Sequence, residues 1–204
     1  RAGDLVLQGF DAGAAAAEAR FFFVCLPHGE SMDTVGILRE TGSKVVDLSA
    51  DYRLSDPSVY EKWYGRHTRK DLFGQAVYGI PELNREKIRE ADLVANPGCY
   101  PTGVILALAP LILDGLVDAG TILADSKSGV SGAGRGPSPA LHFPEAYGNF
   151  SAYAAAGRHR HIPEMEQELS RLAGADIRIT FSPHLLPISR GILSTIYAKP
   201  SPSF

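Results

Sequence analysis

Short apolar runs alternate with helical periodicity through the first half of the chain. Residues 21–26, "FFFVCL", are an unbroken apolar run and predict a buried strand of a parallel sheet. "PHGES" follows, and a helical pattern covers residues 31–40 with Gly42 as its terminal glycine. "KVVDLS" predicts the next buried strand, so strand, helix and strand make a βαβ unit near the minimum length. Residues 51–80 are aromatic and polar and read as a long excursion with little regular structure. Residues 84–91 predict a short helix and 93–95 a buried strand. Residues 100–117 predict a helix with Pro101 in its first turn and a kink or split at Pro110. Residues 121–125 predict another strand.

"SKSGVSGAGRGPSP" then shifts the composition to Gly, Ser and Pro. That is a flexible linker, or, with Ser, Lys and Arg between the glycines, a loop that cradles an anion. Residues 163–173 are amphipathic, with Met165, Leu169 and Leu172 at helical spacing. Residues 177–181 and 188–197 alternate apolar and polar in the manner of antiparallel strands. The front therefore reads as α/β and the back as α+β, over residues 1–124 and 125–204.

Composition narrows the function classes. The 204 residues are 45% hydrophobic and 21% charged, enough for one large domain or two small ones. A net charge of −3 offers no basic footprint for nucleic acid or an acidic membrane. No breaker-free apolar run reaches the ~20 residues a membrane span needs, and no signal peptide pattern opens the chain. Two cysteines make no disulfide framework. Cys25, inside "FFFVCLP", reads as a buried core residue, and a reducing compartment is expected: cytoplasm, or an organelle stroma or matrix. The chain starts at Arg1 and stops just after a strand-like run, which suggests a piece of a longer protein.

The chemistry concentrates around Cys99. In "ANPGCYPTG" a buried strand ends, Asn96-Pro97-Gly98 turns the chain, and Cys99 stands at the mouth of the next helix. Ligands of open α/β sheets bind at that edge. The helix dipole and first-turn amides favour the thiolate there, and the same amides suit an oxyanion. Asn96 is a further amide donor or simply a turn former. Cys99 on its own reads equally as a nucleophile or as a small buried residue. "GRHRHIPEMEQEL" supplies a second reactive group. If extended, it points His159 and His161 one way and Arg158 and Arg160 the other. His161 precedes a helix, which disfavours its protonated form and suits a base. A His-x-His zinc site with His184 lacks an accompanying acidic or cysteine cluster.

"LPHGES", "VVDLSADYRL", "VYGIPELNR", "NPGCYPTG", "SKSGVSGAGR", "HRHIPEMEQEL" and "FSPHLLPISRGI" occur in that order. With them the chain resembles the N-acetyl-gamma-glutamyl-phosphate reductases, of the semialdehyde dehydrogenase superfamily. The resemblance implies a partial Rossmann-like α/β domain followed by an α+β catalytic and dimerisation domain with a mixed sheet. It implies an NADP-dependent reductase of arginine biosynthesis that acts on a small-molecule acyl phosphate and works as a homo-oligomer, a dimer or tetramer. Cys99 would form a thioester, with His161 as acid/base and His159 as its rival or as an ordering residue. Arg158, Arg160 and Arg190 become candidates for gripping phosphate or carboxylate. Ser128, Gly129, Ser131 and Gly132 would line the nicotinamide end of the cofactor. Pro27 and His28 of "LPHGES" would cover another part of it. A carrier-bound aminoadipyl phosphate is the alternative substrate. A cysteine hydrolase or acyltransferase, or a non-catalytic fragment, are the alternative classes. The family's opening glycine-rich phosphate loop has no counterpart before Phe21, so weak NADPH binding and an unpaired sheet edge are expected of this chain alone.

Overall fold

Asp11 starts the first helix, α1 (Ala12–Glu18), by accepting the Ala14 N–H at 2.7 Å. The computed structural model describes residues 6, 8–134 and 136–202. The chain divides into two compact units, Arg1–Pro97 and Gly98–Phe204.

In the first unit, β1 (Phe21–Val24) leads to α2 (Ser31–Glu40) and β2 (Lys44–Asp47). α3 (Pro57–Tyr64), β3 (Val77–Tyr78), α4 (Pro81–Glu90) and β4 (Leu93–Ala95) follow. The strands form one parallel sheet in the order β1-β2-β4-β3. Met32, Val35 and Leu38 make the buried stripe of α2, packed with Val24, Val45 and Leu93 of the strands. Each such side chain, fully buried, stabilises the fold by about 1.5–3 kcal/mol. Gly42, at φ 76°, turns the chain out of α2 in a left-handed conformation that favours glycine.

Two buried carboxylates hold the loop between β1 and α2. Asp51 accepts the Gly29 N–H at 2.9 and 3.1 Å, the Met32 N–H at 3.0 Å and the Tyr60 hydroxyl at 2.6 Å. Asp47 accepts the hydroxyls of Ser31 and Ser49, each at 2.6 Å. Burial raises the Asp47 pKa, against the pull of those serine hydrogen bonds.

The second unit begins with α5 (Cys99–Leu113). β5 (Leu123–Gly129), the short α6 (Phe143–Ala146), β6 (Ser151–Ala152), α7 (Ile162–Ala173), β7 (Thr180–Leu186) and β8 (Ile192–Tyr197) complete it. Its sheet is mixed, in the order β6-β7-β5-β8: β5 runs parallel to β7 and antiparallel to β8. α5 buries Val104, Ile105, Leu108 and Ala109, and α7 buries Ile162, Met165 and Leu169. α5 packs on α7 and β8. That packing draws α5 into the second unit, so the units divide between Pro97 and Gly98 and not after residue 124.

Several expectations change. Cys25 is exposed, not buried, because it follows an edge strand whose one partner among the described residues is β2. On that strand Phe21 and Phe23 are 52% and 67% exposed. The excursion over residues 51–80 contains α3, started by Asp56 accepting the Ser58 N–H, and the strand β3. α5 continues through Pro110 as one helix and ends at Leu113. The glycine-rich segment is no linker, since residues 126–129 extend the central strand β5.

Candidate active site

Gly98 caps α5 with no side chain of its own, and its N–H donates to Glu164 Oε1 at 2.7 Å. Glu164 is 1% exposed and sits in the first turn of α7. A Cβ on Gly98 would stand 2.7 Å from His161 Nε2 and 3.0 Å from Glu164 Oε2. The backbone there, φ −65° and ψ 155°, is open to any residue. Close approach alone therefore demands glycine, and it brings the His161 ring against the residue before Cys99. Gly98→Ala should cost about 1–3 kcal/mol through overpacking. A thermal melt coincident with wild type would show that this packing is not tight.

Cys99 is the first residue of α5 and is exposed. At this helix mouth the Gly98 N–H is already given to Glu164, and Pro101 has no N–H to offer.

The segment before α7 is a turn, and it sets both histidines together. Their ring centroids lie 4.8 Å apart, while Arg158 and Arg160 are exposed. His159 Nδ1 accepts the His161 N–H at 3.1 Å, which assigns the ring proton of neutral His159 to Nε2. Tyr100, Tyr153 and Phe181 meet His159 edge-on at 5.5, 5.6 and 5.2 Å. Burial, aided by the Arg160 charge, pushes the His159 pKa down to about 4 from 6.5. The unfolded chain takes up that proton first. The stability His159 contributes is thus whole above 6.5 and declines as pH falls toward about 4. In NMR titrations the His159 ring should show no protonation step between about pH 8 and 6, the range in which an ordinary histidine, with a pKa of about 6.5, takes up most of its proton.

A pocket of about 390 Å³ is lined by Cys99, Ser128, Gly129, Ser131, Gly132, Gly191 and Ile192. Its wall is the end of β5 and the turn after it, stitched to the β7–β8 connection. Gly129, Val130 and Ser131 donate backbone N–H groups to the carbonyls of Gly191, Ile188 and Ser189 at 2.9, 2.9 and 3.1 Å. A Cβ on Gly129 would meet the Arg190 backbone nitrogen at 2.8 Å, and one on Gly132 would meet Ser128 Oγ at 2.9 Å. Glycine backbone, two serines and Ile192 thus line the pocket beside a thiol.

The second unit therefore joins Cys99 with Ser128, Gly129, Ser131 and Gly132 in one pocket, and sets His159 and His161 beside the cysteine turn. Arg190 is exposed on the β7–β8 connection. The first unit carries Asn96, Pro27 and His28. The Asn96 side-chain amide donates to the Pro97 carbonyl at 3.3 Å, the turn-forming arrangement. The Pro27 carbonyl accepts the N–H groups of Glu30 and Ser31, and the exposed His28 ring meets Tyr64 edge-on at 5.4 Å. Sequence reasoning misses Glu164, although an acid in the first turn after "HIP" marks it. It also misses Gly191, Ile192 and Tyr153, which carry no local signal. His67 and His184, given no partner by the sequence, meet the Asp51 carbonyl at 3.0 Å and Asp125 at 3.2 Å. Among the described residues no cluster suits a metal ion.

Two family models match the chain: the semialdehyde dehydrogenase NAD binding domain over residues 2–91, and the semialdehyde dehydrogenase dimerisation domain over residues 99–204. The N-acetyl-gamma-glutamyl-phosphate reductase of Syntrophobacter fumaroxidans is 59% identical over 195 residues, covering 96% of this chain and 56% of that protein. That of Geobacter metallireducens is 56% identical over 194 residues, covering 95% and 56%. The chain thus spans just over half the length of these curated relatives. Among solved structures, aspartate semialdehyde dehydrogenase from Francisella tularensis superposes with a TM-score of 0.67 at 13% identity, covering 94% of this chain and 61% of that one. The enzyme from Candida albicans, solved with NADP, gives 0.59 at 12%, covering 89% and 51%. At such identities the likeness is one of fold.

Proposed function

This chain belongs to the semialdehyde dehydrogenase family, and from that premise we propose that it is the central part of an NADPH-dependent N-acetyl-gamma-glutamyl-phosphate reductase. The observation that carries the reading is the exposed Cys99 in a glycine- and serine-lined pocket, next to a glycine on which His161 packs. A thiol at a helix mouth is the nucleophile that an acyl phosphate calls for.

Cys99 attacks the acyl carbonyl carbon, phosphate departs with the bonding electron pair, and a thioester to Sγ remains. The amides of Cys99 and Tyr100 hold the oxyanion of each tetrahedral species. NADPH, when bound, supplies the hydride that takes the thioester to the aldehyde level. The residues present suit its nicotinamide end: Gly129 and Gly132 put bare backbone on the pocket, beside Ser128 and Ser131. His161 accepts the thiol proton at the start and moves the proton of the tetrahedral oxygen, while neutral His159 fixes the His161 backbone. Arg158, Arg160 and Arg190 are the guanidinium groups that meet phosphate and carboxylate. We place the protein in the cytoplasm as a homo-oligomer joined through its second unit, the region that matches a dimerisation domain.

The test is a cofactor assay on the complete enzyme. With N-acetylglutamate semialdehyde and NADP, reduction of the cofactor should require inorganic phosphate. Turnover that ignores phosphate would overturn acyl-phosphate chemistry, and turnover only with a carrier-bound aminoadipyl substrate would move the assignment to lysine biosynthesis.

A further inference from the structure

The stretch that carries the histidines is held under strain. Ala154 and Ala156 have φ of 44° and 57°, and Gly157 follows at 78°. Alanine enters the left-handed region only where its surroundings impose it. On the far side the His159 ring is boxed by Tyr100, Tyr153 and Phe181. On the near side the Tyr153 N–H donates to the Pro183 carbonyl at 3.1 Å, and the Tyr153 hydroxyl donates to the Tyr100 hydroxyl at 2.8 Å. Tyr100 is 2% exposed and directly follows Cys99, so it is a fixed anchor, whereas Tyr153 is 37% exposed.

We propose that Tyr153 is a positioning residue: its hydroxyl bond to Tyr100 latches the strained 153–158 segment so that His159, and through it His161, stay seated beside the cysteine turn. The inference rests on His161 serving as the base for Cys99. Tyr153 touches no reacting atom in this scheme. It acts through the ring of His159, whose Nδ1 accepts the His161 N–H.

A cycle of Tyr153→Phe, Tyr100→Phe and the double variant isolates the bond, because both rings keep their volume and the other hydrogen bond of Tyr100, to Ser128, is lost equally in Tyr100→Phe and the double variant. The readout is the rate at which iodoacetamide alkylates Cys99, measured on its peptide by mass spectrometry with the Cys25 peptide as internal reference. It needs neither cofactor nor acyl substrate. Tyr153→Phe should slow Cys99 by about fivefold, within the factor of roughly 2–12 that one neutral hydrogen bond holds, and should slow it no further in the Tyr100→Phe background. Ala154→Gly, which accepts positive φ without strain, should restore most of the rate in the Tyr153→Phe background. Wild-type rates in the single variants, or losses that multiply in the double, overturn the latch. His161→Asn run alongside separates the two claims. If it slows alkylation while Tyr153→Phe does not, the base assignment stands and the latch falls. If it leaves the rate unchanged, both fall.

Discussion

Cys99→Ala in the complete enzyme is expected to lower reductive turnover of N-acetyl-gamma-glutamyl phosphate by about 10³–10⁶-fold, the range seen when a covalent nucleophile is deleted. The loss should fall on catalysis and not on folding. Cys99 is exposed at the first position of α5, where alanine is a good helix former and leaves no cavity. The variant should therefore melt with wild type. Cys99→Ser should be nearly as inactive, because a hydroxyl at neutral pH offers almost no anion to attack with and makes a poorer leaving group when the hemiacetal collapses. Turnover within tenfold of wild type in the alanine variant would remove the thioester from the mechanism.

His161→Asn should cost about 10²–10⁴ in turnover, the usual contribution of a positioned acid or base. The amide keeps a polar group near Gly98 but cannot cycle a proton. His159→Asn is the instructive contrast. His159 is neutral across the working range, its pKa pushed down to about 4, and its Nδ1 is engaged with the His161 backbone. Its replacement should lower turnover less, and should leave the shape of the pH–rate profile unchanged while His161→Asn flattens one limb. If His159→Asn alone abolishes activity and His161→Asn does not, the two roles are exchanged.

Much of this was legible in the chain because some segments carry their own punctuation. α2 is readable to both ends: the apolar stripe at Met32, Val35 and Leu38 sets its face, and Gly42 stops it. Cys99 at a helix mouth follows from a strand, a Pro-Gly turn and a Pro in the next turn. What stayed hidden depends on partners distant in sequence. The sequence cannot say that β1 has β2 as its one partner among the described residues, so it buries Cys25 wrongly. Nor can it say that α5 packs on α7, which moves the boundary between the units. The sequence pattern ends β5 at Asp125 because the following residues are Ser, Lys and Gly, poor in strand propensity. Pairing on both sides, with β7 and β8, overrides that preference. Glu164 had a local mark, but its burial against Gly98 is a matter of tertiary packing.

The capping of α2 by Asp51 has an electrostatic corollary. A helix that starts at the carboxyl edge of a parallel sheet is ordinarily a landing place for phosphate, through its positive end and its unsatisfied amides. Here the amides of Gly29 and Met32 already donate to a carboxylate that is 0% exposed. An incoming dianion would meet a charge of its own sign, with those two donors saturated. The mouth of α2 is therefore a counter-charged end that turns polyanions away, and the loop bearing Pro27 and His28 has side chains and shape to offer a ligand in place of a phosphate cup.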